Sequence, residues 1–233
     1  MQEIEKKEIS MEAIHINDFN NKKINESDVI KRIINGEKEL FEILVRRYNQ
    51  KLYRVIRSYI KNEPQIEDIM QNSYIKAYTK LYQFKLESSF STWLIRIAIN
   101  ESLANLNEKK KNSFINEDST SEDAMDIHTL EDSSQVNPQD HLIQQEAKHL
   151  IEKAIDHLDL KYREVYILKE LEEMSLKEIS EALDISVPNV KVRFHRAKQM
   201  LKEKLFELSN SKNIFEFGFS RCDRITEYVM TQI

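Results

Sequence analysis

Apolar residues recur at three- and four-residue spacing over most of this chain, and the places where that rhythm stops divide it. Val29, Ile30, Ile33 and Ile34 form a short stripe that ends at Asn35-Gly36. Leu40, Phe41, Leu44, Val45, Tyr48, Leu52, Val55, Ile56 and Tyr59 form a longer one, the pattern of an amphipathic helix. Pro64 stands where a further helix should begin, because its missing N–H costs little in a first turn. Ile66, Ile69, Met70, Tyr74, Ala77, Tyr78 and Leu81 mark the apolar side of that helix. After the polar break Leu86-Glu87-Ser88-Ser89, the residues Phe90, Trp93, Leu94, Ile97, Ala98 and Leu103 predict a fourth helix that ends in Lys109-Lys110-Lys111. From 112 to 140 the pattern is lost in Ser, Asn, Asp and Glu, which predicts a linker disordered in isolation. Near Pro138 it resumes: Leu142, Ile143, Leu150, Ile151, Ala154, Ile155 and Leu158 give one helix, and Tyr162, Val165, Tyr166 and Leu168 the next.

The stretch 174–204 is the most informative. Ser175 and Glu178 have the spacing of a capping box, and Leu176, Ile179 and Leu183 line one face of the helix it opens. Asp184-Ile185-Ser186 is a tight turn, Ser186 can cap a second helix, and Pro188 is tolerated in that helix's first turn. Val190, Phe194, Ala197, Leu201 and Leu205 repeat along the second helix, and Lys191, Arg193, Arg196, Lys198 and Lys202 lie off that stripe. No acid occurs between Ile185 and Lys202. A short helix, a turn and a basic second helix predict a helix-turn-helix that reads duplex DNA, against the plainer reading of a solvated basic face.

Composition narrows this picture. Two glycines and three prolines in 233 residues leave no glycine-rich phosphate loop, and predict an all-α fold. No apolar run is long enough for a membrane span, and no signal-peptide core opens the chain. The one cysteine, Cys222, excludes an internal disulfide framework and fits a reducing cytoplasm. His15, His128, His141, His149, His157 and His195 are scattered, without metal-ligand spacing, so no cofactor and no enzymatic activity are expected. The net charge of −5 would argue against nucleic acid, but it is segregated. Residues 28–111 carry +6, residues 112–147 hold nine acids and neither Lys nor Arg, and residues 148–208 balance. Two cationic surfaces joined by an anionic strap are compatible with DNA.

Two blocks in this order resemble the extracytoplasmic-function group of bacterial sigma factors in the sigma-70 family. The first is Asp68-Ile69-Met70-Gln71 with Tyr74-Ile75-Lys76-Ala77-Tyr78 and then Phe90-Ser91-Thr92-Trp93-Leu94-Ile95-Arg96-Ile97-Ala98-Ile99-Asn100. The second is Val190-Lys191-Val192-Arg193-Phe194-His195-Arg196-Ala197-Lys198. The resemblance covers about 28–207 and implies two small helical domains: a sigma-2-like bundle over 28–111 and a sigma-4-like helix-turn-helix domain over 141–208. Between them lies the acidic linker 112–140. A flexible N-terminal arm, 1–27, and a C-terminal extension, 209–233, flank them. The implied function is to bind core RNA polymerase and direct promoter-specific initiation, with the −35 element read as duplex and the −10 element opened. An anti-sigma factor or another regulator is an implied further partner.

The same resemblance carries residue roles. Asp68, Gln71 and Asn72 would face the polymerase; the family commonly has an acid where Asn72 stands, which removes one salt bridge. Asn100 would meet a flipped −10 base, since an amide both donates and accepts. The loop Leu86–Ser91, with Ser88 and Ser89, would help form its pocket. Arg96, Lys109, Lys110 and Lys111 suit phosphates, and Trp93 suits the core better than a stacking platform. For the −35 duplex, Asn189, Lys191, His195 and Arg196 are the base-edge candidates, while Arg193 and Lys198 hold phosphates or the neighbouring helix. Two other readings remain at this point. A plain DNA-binding regulator would leave 68–106 without a role. A helical adaptor would recruit another protein through the first domain or through the tail, where Phe215, Phe217 and Phe219 alternate before Ile225, Val229, Met230 and Ile233.

Overall fold

The computed structural model describes residues 25–115, 138–209 and 230. Among these are eight α-helices and no strand: α1 (Glu26–Ile34), α2 (Phe41–Arg57), α3 (Glu63–Thr79), α4 (Phe90–Ile115), α5 (Pro138–Asp156), α6 (Leu160–Tyr166), α7 (Leu176–Leu183) and α8 (Val187–Ser209). The all-α expectation therefore holds. Helix reaches into the acidic segment from both sides, since α4 runs to Ile115 and α5 starts at Pro138. The expectations for 1–24, 116–137 and the tail beyond Ser209, Met230 aside, lie outside the described residues.

The helix starts follow from local chemistry. The Asn25 side chain accepts from the Ser27 N–H, and the Asn62 side chain accepts from the Gln65 N–H with Pro64 in the first turn. At α7 both arms of the capping box form: Ser175 N–H donates to Glu178 Oε2 at 2.8 Å, and Glu178 N–H to Ser175 Oγ at 3.2 Å. With so few glycines, positive φ falls on other residues. Asp184 (54°) ends α7, and Leu86 (58°) bends the loop before α4. Each such position strains an L-residue by about 1–2 kcal/mol, least where a short polar side chain can bond locally.

The first unit packs Ile43, Leu44, Leu52 and Ile56 of α2 against Ile66 of α3 and Phe90, Leu94 and Ile95 of α4, all essentially fully buried. Three residues that spacing placed on apolar faces, Ile34, Leu103 and Ile151, are instead exposed. A stripe defined by spacing is wider than the surface its neighbours cover.

The second unit does not stand apart from the first. The apolar cluster of α1–α4 continues into Val165, Leu168, Met174, Ile179, Ala182 and Val190, and α7 lies against α4. Ala154, Ile155, Ile167 and Leu201 form a separate small cluster. A π-helical turn, Ile167–Leu171, extends α6 and delivers Leu168 to the shared core.

A polar seam borders that core. Lys51 Nζ lies 3.7 Å from Glu172 Oε2, and Arg54 lies 3.3 Å from Glu172 Oε1. Arg57 and Lys61 reach Asp156 at 3.1 and 3.4 Å. Tyr59 Oη donates to Glu164 Oε2 at 2.6 Å. In these cross-unit ion pairs the base lies on or just after α2, and the acid on the second unit. Burial raises the Glu172 pKa despite its hydrogen bond with Arg54 and the charge of Lys51. At Asp156 burial pushes the same way, but the hydrogen bond and charge of Arg57, with Lys61 and Arg163, win and lower it.

Candidate nucleic-acid and polymerase interfaces

On α8 the residues Val190, Ala197 and Leu201 turn inward, which leaves Asn189, Lys191, His195, Arg196 and Lys198 exposed. Ser186 Oγ accepts from the Asn189 N–H at 3.4 Å, a long N-cap bond. Arg193 is anchored: its Nε donates to Asn189 Oδ1 at 3.0 Å and its guanidinium to Glu164 at 3.1 Å. These contacts tie Arg193 to Asn189 on its own helix and to Glu164 on α6. Lys198 pairs with Glu170 at 3.2 Å and sits 5.3 Å from the centre of the Phe194 ring. The Arg196 guanidinium beside Tyr162, with Lys161, holds its phenol below the usual tyrosine range. Lys191 and His195 make no side-chain hydrogen bond or ion pair among the described residues.

Val192 was not expected here. It is 50% exposed, on the face of His195 and Arg196. A half-exposed aliphatic group between cations suits the C5-methyl of thymine in a major groove. The signal in the sequence was a valine off the apolar stripe.

On the first unit, Arg96 and Asn100 are exposed one turn apart on α4. Ser89 is spent on the helix start: its Oγ accepts from the Thr92 N–H at 3.1 Å and lies 2.8 Å from Thr92 Oγ1. A cavity of 360 Å3 opens beside this start, lined by Gln83, Phe84, Lys85, Glu87, Ser88, Thr92, Trp93 and Arg96, with Glu181 contributed by α7. Trp93 is half-buried against Phe84 and Phe90, at ring-centre distances of 5.2 and 5.8 Å, so it is a core residue with one edge on the cavity. Asn100 stands one turn beyond the lining. Lys109, Lys110 and Lys111 are exposed at the other end of α4, about 20 Å from Arg96 by helical rise. The structure thus brings Arg96, Ser88 and the loop together and leaves the lysine run apart.

The third surface is on α3. Asp68, Gln71 and Asn72 are exposed on one face. The next turns add apolar area missed by sequence reasoning: Ile75 is 61% exposed and Tyr82 is 72% exposed. Tyr78, placed on the buried side by spacing, is also exposed, edge-on to Phe41 at 5.1 Å. Among the described residues no group of His, Cys, Asp or Glu could hold a metal ion, and no helix is long and apolar enough to cross a membrane.

Comparison with known proteins matches both halves. Residues 44–112 fit the family model for sigma-70 region 2, and residues 148–201 that for sigma-70 region 4. The extracytoplasmic-function (ECF) RNA polymerase sigma factor SigW of Bacillus subtilis strain 168 is 32% identical over 179 residues, covering 77% of this chain and 96% of that protein. The ECF RNA polymerase sigma-E factor of Haemophilus influenzae is 30% identical over 183 residues, covering 78% and 96%. Among solved structures, the sigma factor RpoE of Bartonella quintana, in complex with the anti-sigma factor NepR, superposes with a TM-score of 0.58 at 22% identity over 71% of this chain and 96% of that one. CnrH in complex with the cytosolic domain of CnrY gives 0.52 at 21% identity, over 79% and 97%. A plain regulator would not account for the region 2 match, which takes in Asp68, Arg96 and Asn100. With both conserved regions present in order and near-complete coverage of its relatives, the chain belongs to the extracytoplasmic-function group of the sigma-70 family, the factors that bind RNA polymerase and direct promoter-specific transcription initiation.

Proposed function

We propose that α8 reads the −35 element as duplex in the major groove, that the loop 86–91 with Arg96 and Asn100 of α4 captures and opens the −10 element, and that the exposed strip on α3 docks core RNA polymerase. The observation that carries this reading is the division of labour between two DNA-facing surfaces. One is an exposed helix with cations and an aliphatic side chain at base-reading positions. The other is a cavity with a cation, hydroxyls and an amide one turn away. The first is shaped for a groove. The second is shaped for an unstacked base, which needs a pocket and polar groups for its edge. The solved complex of the similar sigma factor RpoE with the anti-sigma factor NepR supports a regulator of that kind as a further partner.

Two substitutions test the two surfaces. Arg196→Ala should weaken binding to a −35 duplex by about 1–3 kcal/mol if the guanidinium meets a guanine edge, with the loss confined to sequences carrying that base. A loss equal across all sequences, with a shallower salt dependence, would instead assign Arg196 to phosphate. Asn100→Ala should leave the closed promoter complex intact and slow opening. Permanganate footprints and a −10 substitution series indistinguishable from those of the unmodified protein would remove Asn100 from the site.

A further inference from the structure

A groove of 640 Å3 lies between the end of α5 and the last turns of α8, beyond Arg196. Ala154 and Leu158 line one side of it, and Met200 and Phe206 the other. Its polar groups are already engaged by their own helices. Lys204 Nζ lies 2.8 Å from Glu207 Oε2, Gln199 Nε2 donates to Glu203 at 3.2 Å, and His157 Nδ1 lies 2.7 Å from the Lys153 carbonyl oxygen. What the groove offers an occupant is therefore apolar surface. Phe206, 68% exposed, is the one exposed phenylalanine among the described residues.

The chain itself supplies a segment that fits. α8 ends at Ser209, just past Glu207 of the lining, and residues 210–233 follow. Asn210-Ser211-Lys212-Asn213 has turn chemistry, because Asn and Ser side chains bond nearby backbone. Phe215, Phe217 and Phe219 come next, and alternate residues of an extended chain share a face. Extended, Ile214–Phe219 spans about 20 Å at about 3.3 Å per residue. The lining stretch Met200–Glu207 covers only about 11 Å of helix at about 1.5 Å per residue, so the run spans the groove from a start at its edge. Lys212, Arg221 and Arg224 offset Glu216, Asp223 and Glu227, so no charge excess holds the segment in water. Met230, its one described residue, is 64% exposed, which leaves the phenylalanines as the anchor.

We propose that residues 210–219 turn back at the end of α8 and lay Phe215, Phe217 and Phe219 in the α5–α8 groove as an internal splint. Each phenylalanine can bury about 150–250 Å2 there. Tethering at the groove's edge gives the tail a local concentration of about millimolar, which neither a second copy nor another protein has. The splint ties α5 to α8, the helix that presents Lys191, His195 and Arg196. Their face stays uncovered, since the groove starts at Met200, one turn beyond Arg196.

The test uses the full-length protein and its one thiol. A nitroxide on Cys222, just past Phe219, should broaden the methyl NMR signals of Ala154, Leu158 and Met200. Phe215→Ser with Phe217→Ser and Phe219→Ser should remove that broadening. It should also speed amide exchange in α5 at least about tenfold, the equilibrium factor for burying one phenylalanine. Met200→Glu, which puts a carboxylate in the groove, should release the tail in the same way. A mixture of nitroxide-bearing chains without isotope label and methyl-labelled Cys222→Ser chains separates the occupants. Broadening in the mixture as strong as within one chain would give the groove to a second copy and overturn the proposal. No broadening within one chain, broadening that survives the triple substitution, or unchanged exchange in α5 would each overturn it as well. Circular dichroism checks that the variants are folded, and the nitroxide measurement on the otherwise unsubstituted protein stands without them.

Discussion

Asp68→Ala combined with Gln71→Ala is expected to lower affinity for core RNA polymerase by about thirtyfold or more, the size of one interface hot spot of about 2 kcal/mol. The two side chains lie one turn apart, both exposed, and flank apolar area from Ile75 and Tyr78 that is unusual on a helix surface. That combination, polar groups for register around an aromatic and an aliphatic anchor, is the anatomy of a protein-binding patch. No buried residue is touched, so the fold should be unchanged by circular dichroism, and binding of the −35 duplex by the second unit should survive. Affinity for core that stays within a factor of two would move the polymerase contact off α3.

The largest stability effect should come from Leu168→Ala. Leu168 is 1% exposed in the cluster that joins the two units, and its removal should cost about 2–5 kcal/mol through lost burial and an unfilled cavity. Because that cluster contains residues of α2, α4, α6 and α7, the whole described chain should lose stability together. Thermal unfolding of both the unmodified protein and the variant should follow one cooperative transition, displaced downward in the variant. Two separated transitions, with only the second displaced, would show that the halves have independent cores.

What could be read from the sequence was local. The capping box at Ser175 and Glu178, the turn at Asp184–Ser186 and the inward stripe of α8 depend on residues within a few positions of each other, and each is found where expected. A run rich in acids and serine interrupts the apolar rhythm and divides the helices into two groups along the chain. The packing of one unit on the other could not be read. The seam pairs residues about a hundred positions apart, and neither the bases of α2 nor Asp156 and Glu172 differ in spacing from solvated charges. Glu181 gave no sign of lining a cavity for the same reason. The π-helical turn at Ile167–Leu171 was read as plain helix, since one widened turn barely alters an apolar repeat. The site residues divide in the same way. Exposure of Asn100, Arg96 and Arg196 followed from helical faces, whereas the anchoring of Arg193 to Glu164 needed α6 in place.

The one-directional seam also bears on how the protein is made. Lys51, Arg54 and Arg57 leave the ribosome before their partners, which lie 99 to 121 residues later in the chain. At about 5–20 residues per second, that gap lasts roughly 5–25 seconds, during which a nascent cationic helix is surrounded by ribosomal RNA. The first negative block to follow is 112–147, with its nine acids and no Lys or Arg. It emerges before Asp156 and Glu172, so acids of this chain are already outside the ribosome when the bases of α2 still lack the partners of the finished seam. For that interval α2 is a cationic amphipathic helix whose partners have yet to be made, and any slowing of translation between 57 and 156 lengthens it.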